Sequence, residues 1–163
     1  MKLKADAIVS PANSFGDMGG GIDKAIDDFY KGKAQKNAIE NIRRDFLGEL
    51  PVGSAIILRM DNRRLAHLIV APTMRIPGNV SGTINAYLAM RAILVAVFKH
   101  NERTPPKIQH IVVPSLCTGV GRMPFVQSAH QMLKAYQNII LGQWKDVIHP
   151  SVAPFVMKKQ NID

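Results

Sequence analysis

Three consecutive glycines, set between a short apolar run and a helical repeat, constrain this chain more than any other feature. In Asp6-Ala-Ile-Val-Ser-Pro-Ala-Asn-Ser-Phe-Gly-Asp-Met-Gly-Gly-Gly-Ile-Asp-Lys-Ala-Ile26, residues Ala7, Ile8 and Val9 read as a buried strand. Pro11 ends it, because proline has no N–H to give to a sheet. Asn13, Ser14 and Gly16 form a loop, and Gly19, Gly20 and Gly21 lead into a helix with Ile22, Ala25, Ile26 and Phe29 at helical spacing. A strand, a glycine loop and a helix N-terminus together make an anion cradle. Bare backbone N–H groups can approach the ligand, and the helix dipole adds partial positive charge. A polyphosphate fits that device; the competing reading is a glycine run that serves only a tight turn.

The remaining elements follow the same rhythm. Ile22 to about Tyr30 and Ala34 to Leu47 read as helices, the second with Ala38, Ile39, Ile42 and Phe46 on its apolar face and Gly48 closing it. Ser54 to Met60 and Leu65 to Ala71 read as strands joined by the polar turn Asp61-Asn-Arg-Arg64, a hairpin pattern. Pro72 to Gly78 is rich in helix and strand breakers and follows a strand, which makes it a candidate site loop. A long helix is expected from Thr83 to about His100, with Ala86, Met90, Ile93, Leu94, Val97 and Phe98 mostly facing the core. A strand from Ile108 to Val113 leads into a second glycine loop, Pro114-Ser-Leu-Cys-Thr-Gly-Val-Gly-Arg-Met-Pro124. Pro124 suits the first position of a last helix, which runs to about Leu141 with Ala129, Met132, Leu133 and Tyr136 inward. Val152 to Met157 has the composition of a final strand, with Pro154 pointing to an edge or an irregular segment.

Strands alternating with helices indicate an α/β fold around a parallel or mixed sheet. Ligands of such sheets sit beyond the carboxyl ends of the strands, where both glycine loops lie, so the loops are placed to clamp a diphosphate from two sides. The 163 residues and 47% apolar content suit one domain, residues 1–163, with a sizeable core. No apolar run reaches membrane-spanning length, and Met1-Lys-Leu-Lys precedes Ala-Asp rather than a signal-peptide stretch, so a cytoplasmic location and no membrane partner are expected. The formal net charge of +9 favours anions, yet the basic residues are scattered and few aromatics interleave them, which ranks nucleic-acid binding last.

Other chemistries are disfavoured. The single cysteine, Cys117, precludes an intrachain disulfide and a cysteine-rich metal site, and with no histidine near it in sequence it reads as a small loop residue. His67, His100, His110, His130 and His149 show no ligand spacing, so no metal and no cofactor is expected. Ser14 and Ser115 lack the nucleophile elbow of serine hydrolases, and neither glycine loop ends in the Gly-Lys-Ser/Thr of a nucleotide triphosphatase.

These residues resemble the macro domain family, whose members bind ADP-ribose. Asp6-Ala-Ile-Val-Ser-Pro-Ala-Asn13 is similar to the family signature Asp-Ala-Ile-Val-Asn-Ala-Ala-Asn. Gly19-Gly-Gly-Ile-Asp23 resembles its first phosphate loop, Ser115-Leu-Cys-Thr-Gly-Val-Gly121 its second, and Leu50-Pro-Val-Gly-Ser-Ala55 its middle strand entry. Ser10 to Phe15, Ala71 to Arg75 and Asn85 to Arg91 look like a bacterial and phage branch. The likeness spans residues 5 to 140 and implies a three-layer α/β/α fold with a mixed central sheet.

By position, the resemblance makes Asn13 and Asp23 the pair that contacts the distal ribose in hydrolytic members, the acid positioning or activating a water. Ala12, Gly20, Gly21 and Ile22 would line the ligand on one side, and Ser115, Thr118, Gly119, Val120, Gly121 and Arg122 on the other. On the residues alone, Asp23 also reads as an acid favouring a helix dipole, and Asn13 as a turn former. Ser10 and Pro11 depart from the commoner asparagine and alanine. The family's earlier strand, with its adenine-recognising aspartate, is expected to be missing. The expected function is hydrolysis of an ADP-ribose linkage, on ADP-ribosylated protein or an ADP-ribose derivative; the alternative is a reader module that binds ADP-ribose without turnover.

Overall fold

In a computed structural model that describes residues 4–152, four short strands form one mixed sheet in the order β2-β3-β1-β4. They are β1 (Ala7–Ser10), β2 (Ile56–Arg59), β3 (His67–Val70) and β4 (Ile111–Val112). β1 runs parallel to β3, with Ser10 opposite Val70, and parallel to β4. β2 and β3 are the expected antiparallel hairpin. The apolar run preceding the second glycine loop pairs as strand only toward its carboxyl end, over two residues rather than from Ile108 to Val113. Asp6 joins it to the sheet: its carboxylate accepts the backbone N–H groups of Gln109 and His110, both at 2.8 Å, and these bonds hold its pKa below the usual carboxylate value.

Side-chain alternation along the strands divides the core in two. Leu58, Leu68 and Val70 face helices α1 (Gly21–Phe29) and α2 (Lys33–Phe46), where Ile26, Ala34, Ala38 and Ile42 are buried. Ala7, Val9 and Ile69 face the opposite layer, with Ala86, Ala89 and Ile93 of helix α3 (Asn85–Arg103). Helix α4 (Phe125–Ile139) packs along α3. Helices cover both faces, which is the expected three-layer α/β/α arrangement. The expected edge strand at Val152 to Met157 lies, apart from Val152, outside the described residues.

Helix α4 reverses the expected packing. Ala129, Leu133 and Tyr136 are exposed, and only Met132 is partly buried; Ser128, Gln131, Lys134, Ala135 and Asn138 face inward instead. Most of the inward polar groups are engaged, although Asn138 Oδ1 is buried without a partner among the described residues. Gln131 donates to the Thr83 carbonyl at 2.8 Å and accepts the Tyr87 N–H at 3.1 Å, so it helps to cap the start of α3 from another helix, where Ile84 has no side-chain group to do so. Asn138 donates to the Tyr87 hydroxyl at 2.7 Å, and Ser128 to the Leu116 carbonyl at 2.7 Å. Phe98, expected inward on α3, is likewise exposed. Pro124 precedes the first helical residue rather than occupying it, with ψ of 139°. Among the described residues, no helix is long and apolar enough to cross a membrane.

Candidate functional site

Two loops leave the parallel strands at their carboxyl ends and face each other across one cleft. The first runs from β1 to α1. Asn13 organises its entry: its Oδ1 accepts the N–H groups of Phe15 and Asp17 at 3.0 and 3.3 Å, and its Nδ2 donates to the Asp17 carbonyl at 3.3 Å. This is the self-bonding turn chemistry of asparagine, and one Nδ2 hydrogen remains. A bridge to Met74 and the Ser14 N–H to Met74 carbonyl bond tie this loop to the segment after β3. That breaker-rich segment therefore forms one wall.

The glycines of the first loop serve different ends. Gly21 takes a left-handed backbone (φ 56°), which glycine adopts without strain. Gly20 has an extended backbone (φ −148°), and a Cβ built there would meet no atom within 4 Å. Neither the local conformation nor the surrounding protein requires glycine at 20; the space in front of it is open cleft. Gly119 in the second loop has the same open surroundings. Among the described residues, the backbone N–H groups of Gly20, Gly119 and Val120 donate to no protein acceptor. The first N–H groups of α1 are free of intrahelical partners by geometry.

The second loop, Pro114 to Met123, is closed by internal bonds. The Arg122 N–H donates to the Gly119 carbonyl at 3.0 Å, and the Met123 N–H to the Cys117 carbonyl at 3.0 Å. Cys117 and Arg122 hold positive φ (65° and 53°). Gly121 is obligatory: a Cβ there would collide with the Cys117 carbonyl oxygen and lie 2.8 Å from Val80 Cγ2. The Val80 N–H bonds the Gly121 carbonyl at 2.9 Å, fastening the two walls together. The Ser115 and Thr118 hydroxyls lie 2.8 Å apart at the mouth. Cys117 is buried and its thiol is pushed up to about 11, the state of an inert thiol rather than a nucleophile.

Asp23, third residue of α1, caps nothing. Its Oδ1 accepts a 2.6 Å hydrogen bond from the Ser10 hydroxyl at the end of β1. Burial raises its pKa from 3.8 to about 6; the Ser10 bond opposes that rise, and the charge of Asp17 adds to it. A carboxyl poised near neutrality in a cleft is suited to exchange a proton with water.

The cleft has a volume of about 450 Å³. It brings together Ala12, Asn13, Gly20, Gly21, Ile22, Asp23, Ser115, Thr118, Gly119, Val120 and Gly121. Arg122 lies outside this lining and is exposed at the loop's end. Thr73, Met74 and Pro77 also line it, from the segment expected as a candidate site loop, and so does Cys117, expected only as a small residue of the second glycine loop. The wholly buried Ser10 stands behind it. No group of three or more His, Cys, Asp or Glu that could hold a metal occurs among the described residues.

Comparison with known proteins places this geometry in a lineage. The family model described as "Macro domain" matches residues 9–132. An uncharacterized protein of Aquifex aeolicus is 31% identical over 133 residues, covering 82% of this chain and 73% of that protein. Among solved structures, the Oceanobacillus iheyensis macrodomain with MES bound superposes with a TM-score of 0.67 at 25% identity, over 82% of this chain and 69% of that one. Thermosipho africanus DarTG in complex with ADP-ribose gives a TM-score of 0.67 at 15% identity, over 82% of this chain and 35% of that one.

Proposed function

The chain belongs to the macro domain family, and on that premise we propose that its cleft binds ADP-ribose and hydrolyses an ADP-ribose linkage. The observation that carries the reading is the pair of facing loops with unspent N–H donors at Gly20, Gly119 and Val120, beside a carboxyl raised to about 6. A diphosphate needs several converging donors and open backbone, which both loops offer. The presence of ADP-ribose on the Thermosipho africanus protein of the same fold supports the same ligand here.

In the proposed reaction, Gly20, Gly21 and Ile22 hold the diphosphate from one side and Ser115, Thr118, Gly119, Val120 and Gly121 from the other. Arg122, exposed at the end of the second loop, adds positive charge near the anion. Ala12 lines the floor, and Asn13 uses its remaining Nδ2 hydrogen on the distal ribose. Ionised Asp23 accepts a proton from water as the water oxygen bonds to the anomeric carbon. The bond from that carbon to the carrier breaks, and the leaving group takes up a proton. Fixing the diphosphate and the water together supplies most of the rate through positioning and electrostatics. The substrate is an ADP-ribosylated protein or a small ADP-ribose derivative.

Calorimetric titration with ADP-ribose tests the ligand. Micromolar affinity is expected for the wild type, and none for Gly20→Glu, which puts bulk and negative charge into open cleft without straining the backbone. Retained affinity in that variant refutes the assigned diphosphate site. Asp23→Ala should keep binding within a few-fold and lose turnover; a wild type that binds but turns over no ADP-ribosylated protein is a reader.

A further inference from the structure

Ser10 departs from the family signature, is wholly buried and does not line the cleft, yet it makes a short side-chain contact behind the site. Its backbone is fixed on both counts a strand can offer: it stands in register with Val70, and its carbonyl accepts the Ala71 N–H at 3.0 Å. The hydroxyl of so rigid a residue is a defined point in space. From that point it reaches Asp23 Oδ1 at 2.6 Å, across the first glycine loop, linking the end of β1 to the first turn of α1. Among the described residues, the second carboxylate oxygen of Asp23 accepts no hydrogen bond from the protein, although Asp23 lines the cleft.

We propose that Ser10 is the positioning residue of this site: its hydroxyl anchors one oxygen of Asp23, fixing the carboxylate so that the other is left to hold the attacking water. The proposal rests on the hydrolytic reading above. It also gives the Ser-Pro departure a physical sense. Pro11 ends the strand directly after Ser10, so the hydroxyl sits on the last residue still pinned by the sheet, where it can face an adjoining helix turn.

The same bond lowers the pH at which Asp23 ionises, against the larger effect of burial. A hydroxyl donates to the carboxylate and stabilises the charged form, against the burial and the Asp17 charge that favour the proton. The other titratable groups around Asp23 are otherwise engaged. Asp27 on α1 accepts the Gln35 N–H, Asp28 pairs with Lys24, and the Cys117 thiol across the cleft stays protonated. Removing the hydroxyl therefore leaves no competing donor among the described residues to keep the carboxylate charged.

The test compares Ser10→Ala and Ser10→Thr with the wild type in two measurements. Carboxyl 13C NMR on the ligand-free protein reads the Asp23 titration directly; Ser10→Ala should move its midpoint upward by about one pH unit, as loss of a charge-assisted bond implies. Turnover of a protein carrying ADP-ribose on glutamate should show an acid limb displaced upward to match, with kcat reduced and ADP-ribose affinity at pH 8 within about twofold of wild type. Ser10→Thr, which keeps the hydroxyl, should return both readouts toward wild type. An unmoved Asp23 titration in Ser10→Ala overturns the anchor. A moved titration with an unmoved acid limb upholds the anchor and instead overturns the role given to Asp23 in turnover.

Discussion

Asp23→Asn should make this protein more stable at neutral pH while abolishing the hydrolysis proposed for it. The structure gives the size of the effect. Burial lifts the Asp23 pKa from 3.8 to about 6, so between those values the native state holds a proton that the unfolded chain releases. Stability therefore falls as pH rises through this window, the reverse of the usual salt-bridged aspartate. Fully developed, the penalty is about 3 kcal/mol; roughly 1 kcal/mol of it is in place at pH 4.5, and the rest appears by pH 8. Asparagine keeps the shape and still accepts the Ser10 hydroxyl, but does not ionise. The gain from Asp23→Asn should accordingly be larger at pH 8 than at pH 4.5 by about 2 kcal/mol. Urea unfolding of both proteins at the two pH values measures this. An equal difference at both pH values would falsify the account, because a packing effect does not titrate.

Three further outcomes follow from particular contacts. Gly121→Ala should lower stability by about 2 kcal/mol and loosen the cleft, since its Cβ meets the Cys117 carbonyl and Val80; thermal melting with and without ADP-ribose reads both effects. Gln131→Ala should cost about 2–3 kcal/mol because it strands the Tyr87 N–H and the Thr83 carbonyl inside the α3–α4 contact, and hydrogen exchange at the start of α3 should rise. Cys117 should alkylate with iodoacetamide far more slowly at pH 8 than a free thiol, its pKa being pushed up to about 11; rapid labelling of the folded protein would contradict the burial assigned to it.

Local chemistry carried much of the architecture. Pro11, the glycine runs and Gly48 punctuate the chain wherever proline or glycine forces an ending, so the order of strands and helices was legible, as was the placing of both glycine loops at strand carboxyl ends. The signature around Asp6 to Asn13 was legible too, although the physical work of Asp6, holding Gln109 and His110, joins positions a hundred residues apart. Periodicity misled at α4. Ala129, Met132, Leu133 and Tyr136 trace an apolar stripe, but a pattern records only that two faces differ, not which one meets a neighbour. Here the neighbour is the start of α3, whose Tyr87 N–H and Thr83 carbonyl demand partners, and Gln131 supplies both. The site divides in the same way. Open backbone at Gly20 and Gly119 is a property of residue type and was readable in the chain, while the Ser10–Asp23 bond, the raised carboxyl and the burial of Cys117 exist only once β1, α1 and the second loop converge. Desolvation and hydrogen-bond geometry depend on what lies across a gap, and that is decided by the tertiary fold.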